Sequence, residues 1–170
     1  VDTFTASVVW GDGITTSAGV TFANGVGVVS ASHVYPDNTA WPVSLTITDR
    51  YGLSVTRALT AGVANAAPIA TPAAAQTTTA GSVLSVTAAT FTDAGFTSVL
   101  AGTQETFTAT IDWGDGSSIG AGTLSVVNGA AGKVTTGTVS GSHTYATAGT
   151  YTVTVTVQDD DSGTSIVTFP

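Results

Sequence analysis

The sequence predicts an all-β protein of two tandem antiparallel β-sandwiches, the first of which lacks its N-terminal strands. The first observation behind this prediction is a strict alternation of apolar and hydroxyl-bearing residues in several short segments, which is typical of strands with one buried face. The second is the absence of any sustained 3.6-residue period, which indicates that helices are few or absent. The third is that four sequence blocks recur in the same order, as expected for two copies of one structural unit.

The four repeated blocks define the two predicted domains, residues 1–65 and 66–170. The first block is an alternating run that ends in Trp-Gly-Asp-Gly, and it reads TASVVWGDGI at 5–14 and TATIDWGDGS at 108–117. The other pairs are SASHVY (30–35) with SGSHTY (140–145), WPVSLTITD (41–49) with YTVTVTVQD (151–159), and LSVTRALT (53–60) with TSIVTF (164–169). Loops of different length separate the blocks, so the copies share strands rather than connections.

The strands can be assigned in order from the alternation. The inner stripe of the first block is Phe4, Ala6, Val8 and Trp10 in one copy and Phe107, Ala109, Ile111 and Trp113 in the other. Residues 64–67 are predicted to form a linker, followed by an edge strand that contains Pro68 and Pro72 and by a strand over 82–93.

The first copy has no counterpart of the two strands predicted between Pro68 and Gln104. Three interpretations of this gap stay open: the missing strands lie outside the chain that begins at Val1, a neighbouring copy supplies a strand, or the sheet rearranges locally. An open sandwich exposes an apolar patch and strand edges that native proteins avoid. If a neighbouring copy supplies the strand, head-to-tail filaments are expected.

Composition excludes several classes of partner. Three basic residues face eleven acidic ones, for a net charge of −8, and no basic cluster is present to displace counterions from nucleic acid. The same deficit argues against attachment to anionic lipid. No apolar run approaches the roughly 18 residues that a membrane span requires, so no membrane span is predicted.

The Trp-Gly-Asp-Gly motif combines a core anchor with a tight turn. Trp supplies a large apolar surface at the end of the strand, and glycines permit a positive φ immediately after it. The carboxylate between them can accept hydrogen bonds from turn amides. We therefore interpret Asp12 and Asp115 as residues that lock the turn, rather than as ligands or catalysts. The motif residues are Trp10, Gly11, Asp12 and Gly13, and Trp113, Gly114, Asp115 and Gly116.

One histidine occurs in each copy, two residues before a tyrosine. His33 and Tyr35 are expected on one strand face, as are His143 and Tyr145. A metal or catalytic role would need partners such as Cys or a second His, and neither occurs within a copy. The histidines are therefore predicted to be structural, and, because no nucleophile–base pair can be assembled, the chain is predicted not to be an enzyme and to need no cofactor.

Acidic residues provide the one candidate metal site. Asp159 and Asp161 lie at the end of one predicted strand, and Asp93 lies at the end of another. Ca²⁺ binds six to eight oxygen atoms from carboxylates and loop carbonyls, which such strand ends can supply. The alternative is a solvated hairpin turn, since Asp-Asp-Ser-Gly is also a good turn sequence.

The combined pattern resembles the polycystic kidney disease (PKD) domain, an immunoglobulin-like β-sandwich. The second copy carries the pattern nearly completely, including Gly149, Tyr151 and Asp159, whereas Trp41 replaces the tyrosine in the first. The sequences FTATIDWGDG and GSHTYATAGTYTVTVTVQDDD are especially similar to repeats of bacterial adhesin-like surface proteins. The resemblance implies a structural role for the histidines, and calcium binding in some members.

Two functions follow from this resemblance, both extracellular or at the cell surface. The first is a structural or adhesive repeat that contacts other protein domains or copies of itself, as tandem arrays do. The second is an accessory module of a secreted hydrolase that binds polysaccharide or a protein substrate. Polysaccharide binding favours a row of exposed aromatic residues, and only Tyr51 is predicted to be clearly exposed.

Overall fold

The computed structural model describes residues 2–170; Val1, the predicted start of the first domain, lies outside them. Within this range the chain forms strands and no helix, which confirms the all-β prediction. The thirteen strands are β1 (Phe4–Val9), β2 (Thr15–Ala23), β3 (Val26–Ser30), β4 (Thr39–Asp49), β5 (Ser54–Val63), β6 (Ile69–Pro72), β7 (Val83–Asp93), β8 (Phe107–Asp112), β9 (Gly120–Ala121), β10 (Thr123–Val127), β11 (Thr135–Thr144), β12 (Val153–Asp159) and β13 (Thr164–Phe169).

The chain divides into two compact units. Unit 1 contains residues 2–64 together with Ser98–Thr103, and unit 2 contains Asn65–Thr97 and Gln104–Pro170. The units divide between Ala64 and Asn65, and the sequence prediction places its boundary between residues 65 and 66. The segment Ser98–Thr103 follows β7 in sequence and groups with unit 1.

Unit 1 is a single antiparallel sheet of five strands in the order β3-β2-β1-β4-β5. Its register places Ala6 opposite Ile47 and Val8 opposite Leu45, so the apolar residues of β1 and β4 share one face. The buried apolar side chains of this face are Ala6, Val8, Trp41 and Val43.

Unit 2 has two antiparallel sheets of four strands, β10-β11-β7-β6 and β13-β12-β8-β9. Alternation along β8 and β12 places their apolar residues in one core, as expected when one face of each strand is buried. That core consists of Ala88, Ala89, Phe91, Ala109, Ile111, Trp113, Val139, Tyr145, Val153, Val155, Val157 and Phe169. The two sheets with an apolar core agree with the predicted sandwich.

The two units differ in how their middle strands are connected. In unit 1 β2 pairs with both β1 and β3, so one continuous sheet results. In unit 2 the corresponding segment is split at Gly122 into the short β9, which pairs with β8, and β10, which pairs with β11. The chain thereby passes from one sheet to the other, which unit 1 does not do.

Candidate functional site

The first candidate site is the aromatic and acidic cluster that each Trp-Gly-Asp-Gly motif forms. In unit 2 Trp113 is buried directly after β8. Its ring stacks on His143, with centroids 5.1 Å apart and planes inclined by 10°. The hydroxyl group of Tyr145 donates a hydrogen bond to the carbonyl oxygen of Trp113 over 3.1 Å. Residues more than 25 positions apart in sequence thus hold the turn from both sides.

Asp115 connects this turn to the histidine. Its Oδ1 accepts a hydrogen bond from the backbone N–H of Ser117 at 3.1 Å, and its Oδ2 lies 2.7 Å from Nε2 of His143. Hydrogen bonds from Ser117, and next from His143, stabilise the carboxylate and lower the pKa of Asp115 from 3.8 to about 2.

This lowered pKa predicts a specific acid sensitivity of unit 2. Because the pKa of Asp115 is lower in the folded chain, its contribution is complete above about pH 4 and is lost as the pH falls towards about 2. Asp115→Asn should therefore show a smaller loss of stability over that range than the wild type does. Urea unfolding at several pH values, followed through the amide resonances of unit 2, measures the difference. Equal pH dependence of the two proteins would contradict the role given to this carboxylate.

Unit 1 repeats the same arrangement. Oδ1 of Asp12 accepts from the backbone N–H of Ile14 at 3.1 Å, and Oδ2 lies 2.6 Å from Nε2 of His33. Tyr35 donates to the carbonyl oxygen of Trp10 over 3.2 Å, and the rings of Trp10 and His33 stack. Trp10 is half-buried, whereas its counterpart Trp113 is buried.

A second aromatic ring extends each cluster. Tyr145 stacks on Tyr151 with centroids 4.3 Å apart, and Tyr35 stacks on Trp41 at 5.4 Å. Trp41 therefore occupies the place of the tyrosine that the first copy lacks. Burial raises the pKa of Tyr35 and of Tyr145 further above its ordinary value of 10.0, and both hydroxyls donate to a Trp carbonyl oxygen.

The second candidate site is the acidic end of unit 2, where β7 and β12 end. Asp93 is only 4% exposed. Its Oδ1 accepts from the backbone N–H of Gly95 at 2.7 Å, while its Oδ2 is buried without a hydrogen-bond partner. Burial raises the pKa of Asp93, and the charges of Asp159 and Asp160 raise it further against the opposing effect of the Gly95 bond.

Asp159 is also buried, and its carboxylate is fully engaged. Its Oδ1 accepts from the backbone N–H of Gly163 at 2.6 Å, and its Oδ2 accepts from Nδ2 of Asn65 at 2.8 Å. The backbone N–H of Asp159 also donates to the carbonyl oxygen of Gly163, which closes a tight turn between β12 and β13. This geometry is the hairpin that the Asp-Asp-Ser-Gly sequence suggested.

The structure brings together two of the three predicted metal ligands. Asp161 is exposed in the turn after β12. Its neighbour Asp160 raises the pKa of Asp93 instead. Oδ1 of Asp160 accepts a hydrogen bond from the backbone N–H of Thr106 at 3.1 Å. The carboxylate of Glu105 lies beside Gly95 and was missed from sequence, although Glu105 stands only two residues before β8 begins at Phe107. Over residues 2–170, no group of three or more His, Cys, Asp or Glu residues has a geometry that could hold a metal ion.

A cleft of about 400 Å³ opens elsewhere in unit 2, beside Tyr151. Hydroxyl and amide groups from Gln76, Thr77, Thr147 and Thr150 lie along it, together with apolar residues such as Phe169. The side chains along this cleft are uncharged, so any occupant would be recognised by hydrogen bonds and apolar contact rather than by charge.

These features define an all-β, immunoglobulin-like module whose repeated aromatic cluster holds a turn in place. The family model described as PKD domain matches residues 74–169, more than half of the chain, and the chain belongs to this family. PKD domains are non-catalytic modules of generally extracellular or surface proteins and mediate protein–protein contacts. No curated protein matches the chain. Across the described range, no helical segment has the length and apolar character needed to cross a membrane.

Proposed function

We propose that the chain is a non-catalytic structural or adhesive repeat module of an extracellular surface protein. The observation that carries this proposal is the duplicated Trp–Asp–His–Tyr cluster within a PKD-family chain. In both copies the Asp carboxylate binds a turn amide and the histidine, and the Tyr hydroxyl donates to the carbonyl oxygen of the Trp. Polar groups used in this way rigidify a fold, as a spacer unit requires.

The module acts by contacts with other domains or copies, and it assembles by strand addition into a filament or layer. Unit 1 supports this part of the proposal, because its sheet has edge strands, β3 and β5, at both ends. A strand donated by a neighbour would add main-chain hydrogen bonds to such an edge.

Surface display tests the proposed role. Intact cells that produce the parent protein should bind an antibody raised against the 170-residue chain, and brief protease treatment of the cells should remove the signal. Binding only after cell lysis would overturn the extracellular assignment.

The uncharged cleft beside Tyr151 favours a second candidate function, an accessory module of a secreted hydrolase. Threonine hydroxyls and apolar walls are suited to a neutral polysaccharide. Retention of the chain on cellulose or chitin, and its loss in Gln76→Ala, would support this function. Free passage over these polymers and over collagen would leave the structural role as the better proposal.

The acidic end of unit 2 supports a further proposal, that Ca²⁺ binds beside Asp93. The unpartnered, buried Oδ2 of Asp93 and the nearby charges of Asp159 and Asp160 form a site that a divalent cation would neutralise. Any such ion would need the carboxylates to move closer, because the present geometry does not group three of them around a common point.

Millimolar Ca²⁺ is expected to raise the Tm of the wild type by mass action and to leave the Tm of Asp93→Asn unchanged. Asp161→Asn, measured in parallel, shows whether Asp161 is a ligand, as the sequence predicted. An equal rise in Tm for the wild type and for Asp93→Asn would contradict the proposal.

A control in EDTA separates calcium binding from charge repulsion. Because the pKa of Asp93 is raised in the folded chain, its ionisation destabilises the fold as the pH rises through that pKa. Asn resembles the protonated acid, so Asp93→Asn should gain stability over the wild type towards neutral pH even without calcium.

A further inference from the structure

Within the described residues of unit 2, one sheet edge is both long and uncovered. The two sheets are β10-β11-β7-β6 and β13-β12-β8-β9, so four strands lie at sheet edges. Of these, β9 contains only two residues. β6 contains Pro72, and the backbone N–H of Ala70 in β6 donates to Oγ of Ser165 in β13 at 3.1 Å, so these two edges lie against each other. The remaining edge strand, β10, has five residues and no proline.

The backbone of β10 is paired on one side only. Its single neighbour in the sheet is β11, and the register between the two strands is continuous. In the described part of the chain, no backbone group outside β11 forms a hydrogen bond with residues 123–127. Alternate N–H and C=O groups of an antiparallel edge strand point away from the sheet, and another strand can pair with them.

No charged side chain protects this edge. The chain carries a net charge of −8, yet the segment from Ser117 to Gly132 contains no Asp, Glu, Lys or Arg. Native proteins commonly protect a free edge with a charge, a proline or a bulge, and β10 has none of these. Because net charge of one sign keeps copies of a chain apart, two copies can approach along this uncharged edge at a low electrostatic cost.

The side chains of β10 are complementary to those of a second β10. Leu124 lies opposite the buried Val139, and Val126 lies opposite Gly137, so Leu124 and Val126 share the core side of the sheet. Leu124 packs against the core, but Val126 is still 41% exposed. Ser125 lies on the other face and is exposed. If two β10 strands pair antiparallel about Ser125, Leu124 of each copy lies opposite Val126 of the other, and the apolar layer continues across the pair.

We infer that β10 is a docking edge for β10 of a second copy of this chain, paired antiparallel about a two-fold axis at Ser125. The pairing joins the β10-β11-β7-β6 sheets of the two copies into one continuous sheet. A two-fold contact uses the same surface on both copies and therefore closes as a dimer. This inference rests on the proposed function, since it names the surface through which copies of the module contact each other.

The contact between two isolated chains is expected to be weak. A pair of five-residue strands buries less surface than the roughly 1,200 Å² at the lower end of stable complexes. The chain should therefore be monomeric in dilute solution and should dimerise as its concentration rises. Several such modules in one protein would strengthen the contact, because the second and later pairings become intramolecular.

Sedimentation velocity of the full 170-residue chain, from about 10 μM to about 1 mM, tests the inference over the range of weak contacts. The weight-average mass should rise with concentration towards that of a dimer. A mass that stays at the monomer value over the whole range would overturn the inference.

Substitutions at Ser125 check the register, because the two copies of this residue face each other at the axis. Ser125→Lys and Ser125→Glu should each abolish the rise in mass, since like charges then lie directly opposite. An equimolar mixture of the two variants should recover dimers. Both variants should keep the Tm of the wild type, because the side chain is exposed. A mixture that stays monomeric while the wild type dimerises would contradict the register and overturn the inference.

Thr110→Lys is the matched control. It adds the same charge at an exposed position of β8, in the other sheet, and should leave dimerisation unchanged. Either lysine lowers the net negative charge of the chain, so a general charge effect would strengthen association in both variants. Dimerisation of Ser125→Lys equal to that of the wild type would overturn the inference in favour of another edge.

Failure of this inference and failure of the proposed function give different results. If the chain is monomeric at every concentration while antibody still labels intact cells, the β10 contact is refuted and the structural role stands. If dimers form through Ser125 while antibody binds only after cell lysis, the contact is supported and the extracellular assignment is refuted.

Discussion

Trp113→Ala is expected to destabilise unit 2 by about 3–5 kcal/mol, the range for deleting a large buried aromatic side chain. Trp113 is 6% exposed and packs against His143 and beside Gly141, so its loss leaves a cavity between the sheets. The Tyr145 hydroxyl would also lose the fixed position of the carbonyl to which it donates. Urea unfolding, followed through the amide resonances of unit 2, measures the change.

Two control variants make this expectation specific. Trp10→Ala removes the matching residue of unit 1, which is half-buried, so it should cost less than Trp113→Ala. Tyr51→Ala removes a ring that is 73% exposed and should change stability by no more than about 0.5 kcal/mol. A Trp113→Ala protein as stable as the wild type would show that the ring does not anchor the core.

Gly114→Ala is expected to have the second largest effect, about 3–4 kcal/mol, at the upper end of ordinary point mutations. Gly114 has a φ of 74°, and a Cβ there would collide with the backbone carbonyl oxygen of Thr152. That carbonyl directly precedes β12, whose pairing with β8 begins where Thr154 meets Asp112, so it can move only by disturbing the ladder.

Gly116→Ala is the matched control in the same motif. Gly116 also has a positive φ, 83°, but a Cβ there would meet nothing within 4 Å. Gly116→Ala should lower the stability of unit 2 only by the strain of the left-handed backbone, about 1–2 kcal/mol. The difference between the two variants in urea unfolding isolates the close approach to Thr152, and equal losses would mean that strain alone requires the glycines.

Much of unit 2 could be predicted from local sequence. The period of two in TATID and TVTVTV sets which side chains share a face, and the structure places Ala109, Ile111, Val153 and Val155 in one core. The turns could be predicted equally well, because the glycine and aspartate residues in Trp-Gly-Asp-Gly are typical of tight turns. The predicted edge strand and its neighbour coincide with β6 and β7.

At the acidic end of unit 2, the local sequence did not predict which carboxylates act on Asp93. Sequence grouped Asp161 with Asp93 and Asp159, yet the charges of Asp159 and Asp160 are the ones that raise the pKa of Asp93, and the Glu105 carboxylate lies beside Gly95. A turn decides where each consecutive carboxylate points, and alternation no longer applies once the strand has ended. The burial of the unpartnered Oδ2 of Asp93 depends on the residues that pack over it, and the local sequence does not identify those residues.

By itself, the sequence determined the all-β class, several of the strands and the two turn motifs, because these depend on alternation and on residues adjacent in the chain. Tertiary structure alone decided which strands pair, and hence that the block SGSHTY is largely strand while SASHVY is not. The reason is that half of the hydrogen bonds of a central strand come from a neighbour distant in sequence. β7 provides them for β11, 40 or more residues later in the chain, and no described strand provides them for residues 31–35.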